Sequence, residues 1–398
     1  MPIINRIAAY ADELTAWRHD LHEHPELGFE EVRTSKIVAE KLHSFGVDEV
    51  ITGIAKTGVV GVIRGNGQGS GGQSSDRAIG LRADMDALPI QEETGLPYAS
   101  KIPGKMHACG HDGHTTMLLG AARYLAETRN FDGTVYVIFQ PAEEGLGGGR
   151  EMVKEGLFDR FAMERVYGMH NWPGVPAGVF AWREGPVMAA AAQIDISITG
   201  RGAHGAQPHH GNDPIVIASQ IVTALQTIVS RRVDPAQSAV LTIGQIASGD
   251  TYNVIPQVAR MKGTARWFHP RVGDQLEEGV LRIVRGIAGS FGAEVEVEFR
   301  RTYPATVNDA EATTLARRAA EAIAGANAVR HMEQPTMGSE DFSFMLNEKA
   351  GCYIMLGGGR GRENEPMVHH PAYDFNDDIL PIGASYWATL VEQQLAKA

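Results

Sequence analysis

The chain reads as an α/β protein, a mostly parallel sheet flanked by helices, interrupted by a smaller ferredoxin-like α+β domain. Three observations predict this. Short apolar runs alternate with helix-spaced segments up to about residue 170 and again after about 302. Between those stretches the apolar positions alternate strictly, and the order becomes strand, helix, strand, strand, helix, strand. The length, 398 residues, exceeds the roughly 100–200 residues usual for one domain. The boundaries that follow are 1–186 and 301–398 for a larger domain in two parts, and 187–300 for the insert.

Residues 4–22 and 30–46 carry helix-spaced apolar positions, and 59–63 (VVGVI) and 78–83 (AIGLRA) read as short strands. The run GNGQGSGGQSSD between those strands reads as a surface loop. Its Gly67, Gly69 and Gly72 match dinucleotide-fingerprint spacing, but no helix pattern opens after them, so the match is treated as chance. GLGGGR at 145–150 lacks the Lys-Ser/Thr of a phosphate loop. A helix is predicted over 113–127, then strands at 134–139 and 165–169. In the insert, strands are expected at 193–199, 238–246, 257–266 and 294–299. Helices are expected at 213–230, capped by Asp213, and at about 274–290. A strand at 352–356 and a helix at 381–396 close the larger domain.

Composition narrows the function classes. Apolar residues at 43% supply ample core, which excludes a disordered or fibrous chain. A net charge of −12 argues against nucleic acid or an anionic membrane as a main partner. With only two cysteines, no apolar leader and no uninterrupted run of 18 apolar residues, the expectation is a cytoplasmic protein that spans no membrane. HExxH, GxSxG and CxxC are absent, which disfavours zincins, serine hydrolases and thiol oxidoreductases.

Four clusters hold most of the chemically capable side chains: HACGHDGH (107–114), PAEEG (141–145), GMHNW (168–172) and VHHPAYDFNDD (368–378). The second and third follow predicted strands and the first opens a helix, so the strand-end rule for open α/β sheets brings these loops together. Cys109 and His111, two apart, offer a thiolate and an imidazole, which suit Zn or another late divalent metal. Adjacent carboxylates Glu143 and Glu144 repel unless a cation lies between them or their jobs differ. One can ligate a metal while the other takes a proton. His170 follows an apolar strand. His369 and His370 precede Pro371, and spacing does not choose between them as ligands. Asp84 or Asp86 can fix the tautomer of a ligating histidine. In the insert, His204 lies in a Gly-rich loop, while Asn253 and Arg266 stand at strand ends; an arginine there can clamp a carboxylate.

Taken in order, these motifs resemble the metal-dependent amidohydrolases related to aminoacylase and glutamate carboxypeptidase, and within them the hippurate and auxin-conjugate hydrolase branch. RHDLHEHPELGFEE, RADMDALPI, MHACGHDGHTTMLLGAA, FQPAEEG, GMHN, GRGAH…PHHGNDPI, NVIP, GSEDF and the final HP carry the likeness across the whole chain. The resemblance implies a catalytic domain and a lid and dimerisation domain, in a homodimer or homotetramer. It implies two divalent ions per subunit (Zn, Mn, Co or Ni), held by Cys109, His111, Glu144, His170 and His369. Asp86 would support the ligands from behind, and Glu143 would be the general base and later the proton donor. His204 would polarise the scissile carbonyl from a neighbouring subunit, with Asn253 and Arg266 facing the substrate. The expected reaction is hydrolysis of an N-acyl-L-amino acid by a metal-bridged water, with that small molecule as the only partner besides further subunits. The alternatives are a dipeptidase or carboxypeptidase, an N-acetyl-diaminopimelate deacetylase, and, more remotely, an inactive metal-dependent binding protein.

Overall fold

A computed structural model describes residues 3–67 and 75–397. Most of the predicted Gly/Ser loop, with Gly69 and Gly72, lies outside the described residues. The chain divides into two compact units. One comprises Met1–Val187, Val307–Pro335 and Asp341–Ala398; the other comprises Met188–Thr306 and Thr336–Glu340.

The first unit is built on an eight-stranded sheet. Its order is Glu49–Ile54, Gly58–Arg64, Thr134–Gln140, Ala78–Asp84, Arg165–Pro176, Gly351–Gly359, Phe180–Trp182 and Val329–His331. The four central strands are parallel, and the first two form an antiparallel edge. Parallel strands covered on both faces have no solvent side, so they read as unbroken apolar runs. Every residue of Ala78–Asp84 and of Gly351–Gly359 is buried accordingly. Helices His111–Thr128 and Leu380–Gln394 join the same core through Met117, Leu118, Leu125, Trp387 and Leu390. They approach so closely that a Cβ on Gly383 would sit 2.1 Å from the Met117 sulfur.

Register sets up the site. Asp84 pairs with Gln140 and Arg82 with Gly168, so three parallel strands deliver Asp84, Pro141–Glu144 and His170 to one sheet edge. The sequence placed His170 after a strand ending at 169. In the structure the strand continues to Pro176, because Gly351–Gly359 keeps pairing with it beyond His170. The predicted first helix is two, Asn5–Ala8 and Ala11–Glu23, and the Gly-rich 145–150 stretch already contains the start of helix Gly148–Lys154.

The second unit has a four-stranded antiparallel sheet, ordered Ala239–Ala247, Val258–Trp267, Ala190–Thr199 and Glu294–Tyr303. With helices Pro214–Arg231 and Pro270–Ser290 this gives the split βαβ topology expected from the strand order. Asp213 caps the first helix, its carboxylate accepting the Ile215 N–H at 2.9 Å. By length and composition Pro214–Arg231 matches a membrane span, yet Ile217, Ala218, Ile221, Leu225 and Ile228 form a stripe buried in this unit's own core. The second helix starts four residues earlier than predicted, because His269 Nδ1 accepts the Arg271 N–H at its N-terminus.

Candidate metal centre

Cys109, His111, Glu143, Glu144, His170 and His369 converge at the sheet edge of the first unit. Cys109, His111 and His170 place donor atoms within 4.8 Å of one another, as do Cys109, Glu144 and His369, and also His111, Glu143 and Glu144. Overlap among these triplets defines one centre drawing on four segments of the chain. Cys109, His111, Glu143 and His170 are buried. His369 is the exposed member, and its Nε2 lies 3.3 Å from Glu144 Oε1.

Backbone and neighbouring groups fix each donor. His111 Nδ1–H donates to the Asp86 carbonyl (2.9 Å), with Asp86 Oδ1 at 3.2 Å, and this turns Nε2 toward the centre. Asp86 Oδ2 also accepts the Glu144 N–H at 2.9 Å, so one carboxylate positions two donor residues. His170 Nδ1–H donates to the Asn171 carbonyl (2.6 Å), leaving Nε2 3.4 Å from Cys109 Sγ. His369 adopts φ 69° and its N–H donates to the Ala108 carbonyl (2.7 Å). His370 instead turns Nδ1 back to accept the Ala372 N–H. Of the pair that spacing left open, His369 reaches the cluster.

The electrostatics describe a pocket that attracts a cation. Burial works against a charge on His111, but Asp84, Asp86 and Glu144 outweigh it and carry its pKa to about 10. Burial, Glu144, Glu143 and Asp84 hold the Cys109 thiol well above its ordinary pKa. Burial and the neighbouring His114 keep His170 neutral. His111 Nε2 is buried without a hydrogen-bond partner. An orphaned imidazole nitrogen beside a thiol, two carboxylates and the His170 Nε2 that meets the thiol is a donor set that suits a divalent metal. Metal binding would displace the protons that the acidic surroundings otherwise retain.

Other residues support the centre: Asp84 was a candidate from the sequence, while Glu31, Arg18, His22 and Asp112 had no assigned role. Asp84, weighed equally with Asp86, is held by His114 Nδ1 (2.6 Å) and lies 3.7 Å from His111 Nε2. Glu31, in the first quoted motif, accepts the Ala142 N–H (2.8 Å) and the Thr57 hydroxyl (2.6 Å), anchoring the turn where Ala142 takes φ 53°. Burial pushes its pKa up to about 7. The legible signal was a pair of carboxylates, Glu30 and Glu31, between apolar neighbours in FEEV. Arg18, His22 and Asp112 form a buried ionic cluster at the first turn of helix His111–Thr128.

The other three expected residues belong to the second unit. His204 pairs with Val254 in a two-stranded ribbon, and the Gly205 N–H donates to the Asn253 carbonyl at 2.7 Å, so His204 and Asn253 are neighbours. Arg266 is separate, near the far end of Val258–Trp267, where it donates to Thr264 Oγ1 and to the Ala265 carbonyl. Burial lowers its pKa.

A profile of peptidase family M20/M25/M40 matches residues 80–393, which include every residue of the centre. The chain belongs to this family. It is 44% identical over 396 residues to the hippurate hydrolase of Campylobacter jejuni, covering 99% of this chain and 100% of that protein. It is 38% identical over 383 residues to the N-acetylcysteine deacetylase of Bacillus subtilis, covering 96% and 97%. Among solved structures, the Bacillus subtilis YXEP protein, described as a dinuclear metal binding peptidase from the M20 family, superposes with TM-score 0.81 at 34% identity, over 98% of this chain and 100% of that one. The family membership and the mixed α/β architecture agree with the resemblance read from the motifs.

Proposed function

We propose that this M20-family chain hydrolyses the amide bond of N-acyl-L-amino acids, with hippurate-like or N-acetyl-amino-acid substrates, using two divalent ions per subunit. The observation that carries the reading is the convergence of Cys109, His111, Glu144, His170 and His369 beside a buried carboxylate, Glu143. The names borne by the two relatives support the acyl-amino-acid class. When bound, such ions polarise a carbonyl and lower the pKa of water. Glu143 takes the proton of the attacking water and returns it to the departing nitrogen. Cys109, His111, Glu144, His170 and His369 hold the ions, and Asp86 orients two of them. His204 accepts the Ala206 N–H at Nδ1 (3.0 Å), which leaves its Nε2–H to donate to the scissile carbonyl. Asn253 and Arg266 contact the substrate. The reading includes Zn, Mn, Co or Ni as the ion, a cytoplasmic homodimer or homotetramer assembled through the smaller unit, and that unit as a lid.

Release of free amino acid from N-benzoylglycine, N-acetylmethionine, an indoleacetyl-amino acid and one dipeptide tests it, on chelator-stripped protein and after restoring each metal. Metal-dependent cleavage of an acyl-amino acid is the expected result. Cleavage of the dipeptide alone would overturn it in favour of a dipeptidase.

A further inference from the structure

The centre described above leaves one buried cation unexplained. Arg82 stands in the middle of the apolar strand Ala78–Asp84 and is fully buried. Its guanidinium spreads three arms: Nη1 donates to Asp84 Oδ2 (2.7 Å), Nε to Gln140 Oε1 (2.8 Å) and Nη2 to Asp341 Oδ1 (3.0 Å). Asp341 in turn collects Gln140 Nε2 at 2.8 and 3.0 Å and the Gly149 N–H at 2.7 Å. Gln140 ends the strand that leads into Pro141–Glu144, and Gly149 lies in the helix that follows. The packing is tight enough that a Cβ on Gly149 would lie 2.9 Å from the Asp341 carbonyl and 3.0 Å from Gln140 Oε1. Beyond this knot, the Asp341 backbone N–H points at Glu143 Oε1, 3.4 Å away.

We infer that Arg82 and Asp341 are positioning residues that hold the Glu143 carboxylate, through the Gln140 strand end and the Asp341 N–H, in the place from which it moves a proton. A guanidinium is suited to this because its rigid fork fixes three partners at once, whereas a lysine would supply the charge and one direction. Arg82 Nη2, Gln140 Nε2 and the Gly149 N–H all donate to the Asp341 carboxylate, so an amide there turns an N–H₂ toward a donor. The inference rests on the proposed role of Glu143 as base. Arg82 also reaches Asp84, so its loss can disturb the ligand side, while Asp341 meets Gln140 and Gly149 on the base side of the knot.

Asp341→Asn and Arg82→Lys test this on the metal-loaded protein, with the acyl-amino acid the unmodified protein cleaves best. The expected result for Asp341→Asn is a fall in kcat of about 10–100-fold, the range typical of groups that orient catalytic residues, with KM within about twofold. Bound metal and the thermal midpoint stay as in the parent. Arg82→Lys, retaining charge without the fork, does not restore kcat. Unchanged kcat in Asp341→Asn overturns the inference, and so does a kcat loss matched by loss of metal or of folding. Full activity in Arg82→Lys shows that charge alone suffices and overturns the fork. Should Arg82→Lys not fold, Asp341→Asn decides alone. A Glu143→Gln control separates the two levels. An inactive control beside an active Asp341→Asn removes this inference and leaves the proposed function, whereas an active control removes the reading of Glu143 itself.

Discussion

In the unit built on the eight-stranded sheet, Cys109, His111, Glu143 and His170 are buried and the centre is braced, with His369 exposed. Asp86 holds His111 and Glu144, the Asn171 carbonyl holds His170, and Arg82 gathers Asp84, Gln140 and Asp341. In the four-stranded unit, His204 and Asn253 are exposed on a two-residue ribbon whose contacts are with its own backbone. The difference teaches that polar groups acquire fixed geometry in two ways. The first set is preorganised within its own unit at folding, where low dielectric strengthens every contact. The second set is exposed, so in the proposed function its geometry would be completed by whatever it meets.

Three measurements break or sharpen this contrast. The largest effect is expected at Glu143, inside the braced set. Glu143→Gln keeps the shape and removes the base, so turnover falls by roughly 10³–10⁴-fold while metal content, read by elemental analysis, is unchanged. Parent-like turnover would reject the assignment. The next concerns the exposed set. His204→Ala is expected to lower kcat by on the order of 10²-fold and to leave the thermal midpoint where it is, since the ring is exposed and packs against nothing buried. A shifted midpoint would mean that His204 is structural. The smallest is a pH effect behind the centre. Burial would lower the pKa of His22, but hydrogen bonds to Asp112 and Glu92 prevail and raise it to about 9. A histidine raised above its unfolded value of about 6.5 stabilises fully below pH 6.5 and loses that contribution as pH climbs through 9. The loss is of the order of a few kcal/mol. Thermal midpoints recorded from pH 6 to 9.5 should fall in the parent and fall less in His22→Gln; equal slopes would remove His22 as the cause.

What the sequence conveyed depended on how local the signal was. Helix His111–Thr128, the split βαβ order and the loops carrying Cys109 and Glu143 follow from periodicity and the strand-end rule, whereas His170 lies within its strand. Strands Glu49–Ile54, Phe180–Trp182 and Val329–His331 did not follow from either, because three to six residues at or next to a sheet edge gain their identity from pairing partners. That His369 and not His370 lies beside Cys109 and Glu144 depends on the backbone turn at His369, where φ is 69°, which no spacing encodes. Arg82 did leave a trace. A charged residue inside a strand that is otherwise buried throughout requires a buried carboxylate elsewhere, and Asp341 lies 259 residues away.

The strand Gly351–Gly359 lies between Arg165–Pro176 and Phe180–Trp182, yet almost nine-tenths of the chain precedes it. The same late stretch carries His369. A chain cut short before this stretch therefore lacks an inner strand of the sheet and, under the proposed ligand set, one of the five donors.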